Sequence, residues 1–274
     1  MIDQTAREMP LWERCANARI IDLAQPLEQG MPVSPHHPGF RMALQRRHGD
    51  MVRADGGSAA SDMILLGGHT GTHIDALCHV SHKGMLHGGV DAAIAQVGGR
   101  FAQLGVETIP PMFCRGVMLD IPALHGVSVL APGTPITARD LNLACRRQGV
   151  EVRTGDAVLI RSGWPIHWTD SEAFVGLTRG EPGPDESAAA WLSERRIRVT
   201  GAETIAYECT DPRRGHALLP VHRMLLVEQG IPIIEVLNLS VLAQDEISEF
   251  LFVVTPLKVV GATGVPVRPV AVVA

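Results

Sequence analysis

Apolar residues in this chain fall mostly into short runs rich in Val, Ile and Leu, set off by Gly and Pro. Residues 20–23, 116–121, 156–160, 197–200, 231–235 and 250–254 are such runs. Apolar runs of this length between turn formers predict strands. Helical patterns are fewer. Thr137-Ala138-Arg139-Asp140 resembles a capping box and opens a helix toward Arg147, which Gly149 can stop. In residues 184–195, Pro184, Asp185 and Glu186 suit the positive N-terminal end of a helix, and Arg195 and Arg196 suit its close. A third helix is expected over residues 219–228, ending at Gly230, and a short fourth over 90–97. Residues 26–57 break the pattern. They hold Pro32, Pro35 and Pro38 with His36, His37, Arg46, Arg47 and His48, and they predict a long ordered loop with a hairpin. Such loops often cover sites, although a surface excursion without a role fits equally well. Strands outnumber helices and alternate with them irregularly, which predicts a mixed α/β single domain.

Composition narrows the classes. A chain of 274 residues can bury a sizeable core without disulfides or a structural metal. Aromatics make up only 4%, so the core must rest on Val, Ile, Leu and Ala. The net charge of −5 and the lack of a basic stretch argue against nucleic acid or an anionic membrane surface as partner. The five cysteines are scattered and form no Cys-x-x-Cys pair, so they suggest neither a disulfide framework nor a thiolate zinc site and agree with reduced thiols in the cytoplasm. The N-terminal residues do not read as a secretory signal, and no apolar stretch is long enough to span a bilayer.

The chemistry concentrates in His69-Thr70-Gly71-Thr72-His73-Ile74-Asp75-Ala76-Leu77-Cys78-His79. Imidazole and carboxylate are the usual ligands of zinc and manganese. Five of the twelve histidines (His69, His73, His79, His82, His87) lie between residues 69 and 87, a crowding that points to a metal-dependent site. Gly68, Gly71, Thr70 and Thr72 make a poor helix, so a strand end or tight turn is expected. The Glu that follows the first His of a zincin helix is missing. His73 and Asp75 are two apart and share one side of an extended segment.

The run from His69 to His79 resembles the metal signature His-x-Gly-Thr-His-x-Asp-x-Pro-x-His of the cyclase family of metal-dependent hydrolases. Further blocks are similar: Ile21-Asp22-Leu23 with Gly30-Met31-Pro32, Pro220-Val221-His222-Arg223-Met224, Gly230-Ile231-Pro232-Ile233-Ile234-Glu235, and Gly261-Ala262-Thr263-Gly264. The likeness runs from about residue 20 to the C-terminus, after an N-terminal extension of residues 1–19. It implies a swivelling β/β/α fold, usually in homo-oligomers, here a dimer or tetramer. It implies His69, His73 and Asp75 as ligands of one ion, Asp75, His222 and Glu235 as ligands of a second, and His79 as the catalytic histidine. One or two divalent ions, zinc or manganese, would then be bound. Leu77 and Val80 depart from the pattern, standing where Pro and an aromatic are common. Both lie beside His79 and bear on the substrate rather than on the metal.

Other residues keep two readings. Glu235 lies in an apolar strand, where an unpaired carboxylate is costly and a ligand role is favoured. Glu203 and Glu208 could orient histidines, but solvated strand edges are the simpler expectation. Trp164 and Trp168 either line an aromatic substrate pocket or pack. His82 and His87 have no assigned role. A divalent ion lowers the pKa of bound water toward ~7 and so generates hydroxide at neutral pH. The expected function is a hydrolase of an amide-type bond in a small molecule, an aryl formamide or a small cyclic amide. A lactone or imide hydrolase fits the same residues. A non-catalytic metal-binding protein would need a closed four-ligand site, whereas each ion here has three protein ligands.

Overall fold

The computed structural model describes residues 9–212 and 218–273. The first eight residues of the expected N-terminal extension lie outside that set. Its remainder forms the helix Leu11–Ala16 and leads into the first strand. In chain order the strands are β1 (Arg19–Asp22), β2 (Arg41–Arg46), β3 (Ser61–Leu65), β4 (His73–Asp75), β5 (Gln96–Val97), β6 (Arg100–Phe101), β7 (Met112–Asp120), β8 (Pro135–Ile136), β9 (Ala157–Arg161), β10 (Gly183–Pro184), β11 (Val199–Ala202), β12 (Ile233–Glu235), β13 (Glu249–Val254), β14 (Gly264–Pro266) and β15 (Val270–Val273).

One mixed sheet organises the molecule, in the order β1-β15-β13-β7-β9-β11-β12-β4-β14. Its centre, β7-β9-β11-β12, is parallel. Parallel neighbours need crossovers, and helices supply them: Ala138–Gln148 between β7 and β9, Glu186–Glu194 between β9 and β11, and the helix from Pro220 between β11 and β12. Both flanks are antiparallel. Alternate residues of the central strands feed two cores. Val117, Leu119, Val158, Ile160 and Ile233 meet Leu141, Leu192 and Leu225 of the helices. Met118, Leu159, Ile74 and Ile234 meet Leu86, Val106, Phe252 and Val265 on the opposite face. No helix among the described residues is long and apolar enough to cross a membrane.

The local signals explain the elements. Thr137 and Asp140 form the expected reciprocal capping box, and Gly149 ends that helix in the left-handed region. Asp185 caps Glu186–Glu194 through the Ala188 N–H. The expected fourth helix shortens to Ala92–Ala95 with Asp91 as its cap, and Gln96 and Val97 pair as β5. The third begins as Pro220–His222 and widens into a π-helix over Arg223–Gln229, which Gly230 closes at φ +68°. The hairpin expected within residues 26–57 lies further along, as the β2–β3 ribbon.

Candidate metal centre

Strand β4 sits inside the sheet, between β12 and β14. Its extended backbone sends Ile74 into the core and turns His73 and Asp75 to the opposite face. Cross-strand register sets Glu235 opposite His73. Two carboxylates and an imidazole therefore converge from neighbouring strands without any loop to position them. His73 Nε2 lies 3.4 Å from Asp75 Oδ1 and 3.2 Å from Glu235 Oε2.

The approach to β4 is tightly built. Gly71 adopts φ +65°, and a Cβ there would meet Leu27 Cδ2 at 2.5 Å. Thr72 Oγ1 donates to the Val236 carbonyl and accepts from the Gln25 N–H, which locks the strand start to its neighbour. Gly264 of β14 comes so near His69 that a Cβ would lie 2.6 Å from Cε1.

His222 enters from the helix that precedes β12. Its Nε2 lies 3.2 Å from Glu235 Oε1 and 3.7 Å from Asp75 Oδ2. Its Nδ1–H donates to Glu208 Oε1 at 2.7 Å, and the same carboxylate accepts the Val221 and His222 backbone N–H groups. Glu208 thus fixes the ring tautomer and the start of the helix together. The His73 ring is fixed in the same sense, with Nδ1–H donating to the Gly71 carbonyl.

His69 and His79 form the other side of the cluster. The His69 Nδ1 lies 2.7 Å from Asp75 Oδ1 and its Nε2 lies 2.9 Å from Thr263 Oγ1. Its ring stands 4.0 Å from that of His79. Among the described residues, two groups have donor atoms close enough for one ion: His73, Asp75 and Glu235, and His69, Asp75 and His79. Asp75 is common to both, as the sequence resemblance implies. The partition differs from the one it implies, because β4 and β12 pair His73 with Glu235 and leave His69 beside His79.

The donor chemistry fits a divalent ion. His73 Nε2 and Asp75 Oδ2 are buried without a hydrogen-bond partner, a costly arrangement that coordination would satisfy. Burial opposes a charge on His73, but the Asp75 and Glu235 carboxylates close to its Nε2 win and push it up to about 10. His222 is raised to about 10 against the same burial, by Glu208 and Glu235. Asp75 is held well below the usual carboxylate range although burial opposes its ionisation, because the His79 and His69 imidazoles, the hydrogen bond from His69 and the nearby His73 ring stabilise its anion. His79 goes the other way. Burial outweighs the attraction of Asp75 and, helped by His69 and His222, pulls it down to about 4.

All six residues except Asp75 line one cavity of about 80 Å³, whose outer wall is Pro32, Val33, Ser34 and His37. The long loop singled out in the sequence therefore covers the site. Leu77 and Val80 pack into the helix-side core beside His79. Trp164 and Trp168 do not line this cavity. They pack behind it with Phe174, Ile205 and Val236, of which Ile205 and Val236 form its inner wall. His82 is exposed, and His87 Nδ1 holds the Val227 carbonyl, so neither joins the cluster.

Glu203 and Glu208 are not solvated strand edges. Both are buried. Glu203 accepts from the Ser162, Gly163 and Leu239 N–H groups and ties three loop starts together. Glu181, which no local pattern singles out, is also buried and accepts the Ile205 N–H, holding the cavity wall. Nothing in a single sequence marks these acids, since their partners are backbone groups far along the chain.

Comparison with known proteins agrees with this architecture. An isatin hydrolase from Roseibium aggregatum is 25% identical over 224 residues, covering 80% of this chain and 77% of that protein. The crystal structure of a novel cyclase superposes with a TM-score of 0.84 at 29% identity, over 95% of this chain and 89% of that one. Isatin hydrolase A from Ralstonia solanacearum shares the fold with a TM-score of 0.73 at 24% identity, over 94% and 93% of the two chains. The family model Cyclase, described as "Putative cyclase", matches residues 21–209, well over half of the sequence, and the chain belongs to this family.

Proposed function

We propose that this protein is a metal-dependent hydrolase of a small amide, with a cyclic amide of the isatin type as its substrate class. The observation that carries the proposal is the buried convergence of His73, Asp75, Glu235 and His222, with His73 Nε2 and Asp75 Oδ2 unpartnered. Those four residues and His69 would hold one or two ions. When bound, such an ion supplies Lewis acidity and lowers the pKa of water toward neutrality.

The chain's own groups do the rest. Asp75 and Glu235 offset the positive charge of the centre. The Glu208 carboxylate and the Gly71 carbonyl accept the Nδ1–H of His222 and His73, which aims each Nε2 inward. His79, neutral at pH 7 because of its burial, accepts a proton from water and passes it to the leaving nitrogen. Pro32, Val33 and Ile205 give the cavity an apolar patch of wall. The small cavity suits a compact ring better than a peptide. The relatives that carry the name isatin hydrolase favour the cyclic amide over the aryl formamide.

The test is acid release from isatin and from N-formylkynurenine by metal-loaded protein, before and after chelation. Chelator-sensitive opening of isatin is expected, faster than any cleavage of the formamide. A metal-loaded chain inert toward both amides and toward a lactone and imide panel would sink the proposal.

A further inference from the structure

The large sheet curls far enough that both of its outer strands reach one cleft. β1 and β14 end the strand order, yet Asp22 of β1 and Pro266 of β14 line the same space, of about 690 Å³. That size suits a small-molecule site. The cleft shares no lining residue with the metal cavity, and a thin wall divides the two: Leu27 of the cleft packs on Gly71 of the cavity.

Two polar side chains of the cleft are buried, Thr72 and Gln25. The Thr72 hydroxyl is fully engaged, by the Val236 carbonyl and the Gln25 N–H. Gln25 is only 6% exposed, its side-chain amide makes no hydrogen bond among the described residues, and its Nε2 is enclosed without a partner. Its backbone is nevertheless pinned, because the Leu23 N–H donates to the Pro269 carbonyl and the Gln25 N–H to Thr72. A buried amide with nothing to bond is costly, and one carried on a fixed backbone is preorganised for a ligand.

We propose that this cleft binds a small neutral lactam or imide, paired with the Gln25 amide and with its ring against Leu27 and Leu257. The amide selects the class. A primary amide carries an N–H donor and a carbonyl acceptor side by side, and its complement carries the same pair reversed on one edge. Ring closure locks the N–H and C=O of a lactam cis, on one edge, whereas a peptide amide is trans and offers them on opposite edges. A carboxylate has no donor to give. The rim selects no charge either, since Arg268 Nε and Nη2 both donate to Asp22 Oδ2 at 2.7 Å and the pair is neutral in sum. Leu27, Leu257 and Val267 supply apolar wall for the ring. The ligand class coincides with that proposed for the metal cavity but follows from Gln25 and its cleft alone, so either reading can fail without the other.

The experiment titrates the full-length protein, in zinc-containing buffer, with 2-oxindole and with N-methyl-2-oxindole, which lacks the N–H. Calorimetry gives Kd, and NMR follows the Gln25 side-chain amide. 2-Oxindole is expected to bind and to move the Gln25 Nε2 protons downfield, and N-methylation to weaken binding about 5- to 100-fold. Gln25→Met should weaken 2-oxindole by a similar factor, and in that variant N-methylation should cost nothing further. Absence of saturable binding overturns the proposal. Binding that leaves the Gln25 protons unmoved, or that is indifferent to Gln25→Met, also overturns it and assigns the lactam to the metal cavity. The NMR readout on the unmodified protein decides the matter even if the variant does not fold.

Discussion

Strand β4 and the β2–β3 arm invert the usual sorting of side chains in opposite directions. In β4, His73 and Asp75 are charged groups placed where water cannot reach them. In the arm, Met, Leu and Ile stand where water reaches both faces. Each arrangement costs free energy in the isolated chain, one through desolvated charge and the other through hydrated hydrocarbon. The difference lies in what relieves the cost. Buried charge needs an opposite charge of small size and fixed geometry, which a divalent ion provides. Exposed hydrocarbon is relieved by covered area rather than by charge or fixed geometry. The two regions should therefore answer to different perturbations, and the predictions below try to break that separation.

The largest effect is expected from Asp75→Ala, since Asp75 belongs to both donor groups. This variant should hold no metal after dialysis and turn over no faster than the chelator-treated parent, while its sedimentation matches that of the parent. Full metal retention would remove Asp75 from the centre. His79→Ala should keep its metal and lose about 10²- to 10⁴-fold in turnover, the usual size of a general acid–base contribution. A fully active His79→Ala would take His79 out of the proposed mechanism.

Glu208→Gln is expected next, as a test of positioning. Its partner His222 should remain in place but become less basic, and metal affinity should fall about 10- to 100-fold. A purely structural role would lower Tm and leave the metal Kd alone. Protons give a further handle. Without metal, His73 and His222 are raised from 6.5 to about 10, so both are protonated at pH 7. Metal uptake must displace those protons, and apparent affinity should climb as pH rises from 7 toward 10. The sign for stability is the reverse. The raised pKa values stabilise the metal-free fold fully below about pH 6.5, and that contribution fades as pH rises through about 10. Calorimetry of metal binding in buffers of different ionisation enthalpy counts the released protons. No proton release at pH 7 would contradict the assignment.

How much of this was legible in the sequence follows from the range of each interaction. The donors of residues 69–79 were readable because β4 and its approach bring them together within one short segment. The helix from Thr137 was readable because its capping box and stop glycine are local signals. Glu208 and Glu203 were misjudged because a carboxylate between apolar residues looks the same whether it faces water or a distant backbone N–H. The grouping of His73 with Glu235 depends on register across 162 positions, from strand pairing that no local pattern encodes. The arm was expected as a hairpin but placed too early, since Arg46, Arg47 and His48 suggested a loop where the chain is still paired up to Arg46.

The smallest predicted effect is the control that gives the others their meaning. The helix Ala138–Gln148 is sorted in the ordinary way, with Leu141 and Ala144 buried, and its start rests on the Thr137–Asp140 box. Thr137 Oγ1 accepts the Asp140 N–H, and Asp140 Oδ2 accepts the Thr137 N–H in return. Thr137→Ala removes one side of this exchange and should cost about 1 kcal/mol. That loss lowers Tm by only a few degrees, about 2–4 °C for a domain of this size. Metal content and sedimentation should stay at the parent values, because the helix packs on the sheet without touching the metal cluster or the arm. If so small a loss also released metal or changed the sedimentation, both readouts would be reporting general fragility. The separation between β4 and the arm would then fail, whatever Asp75→Ala had shown.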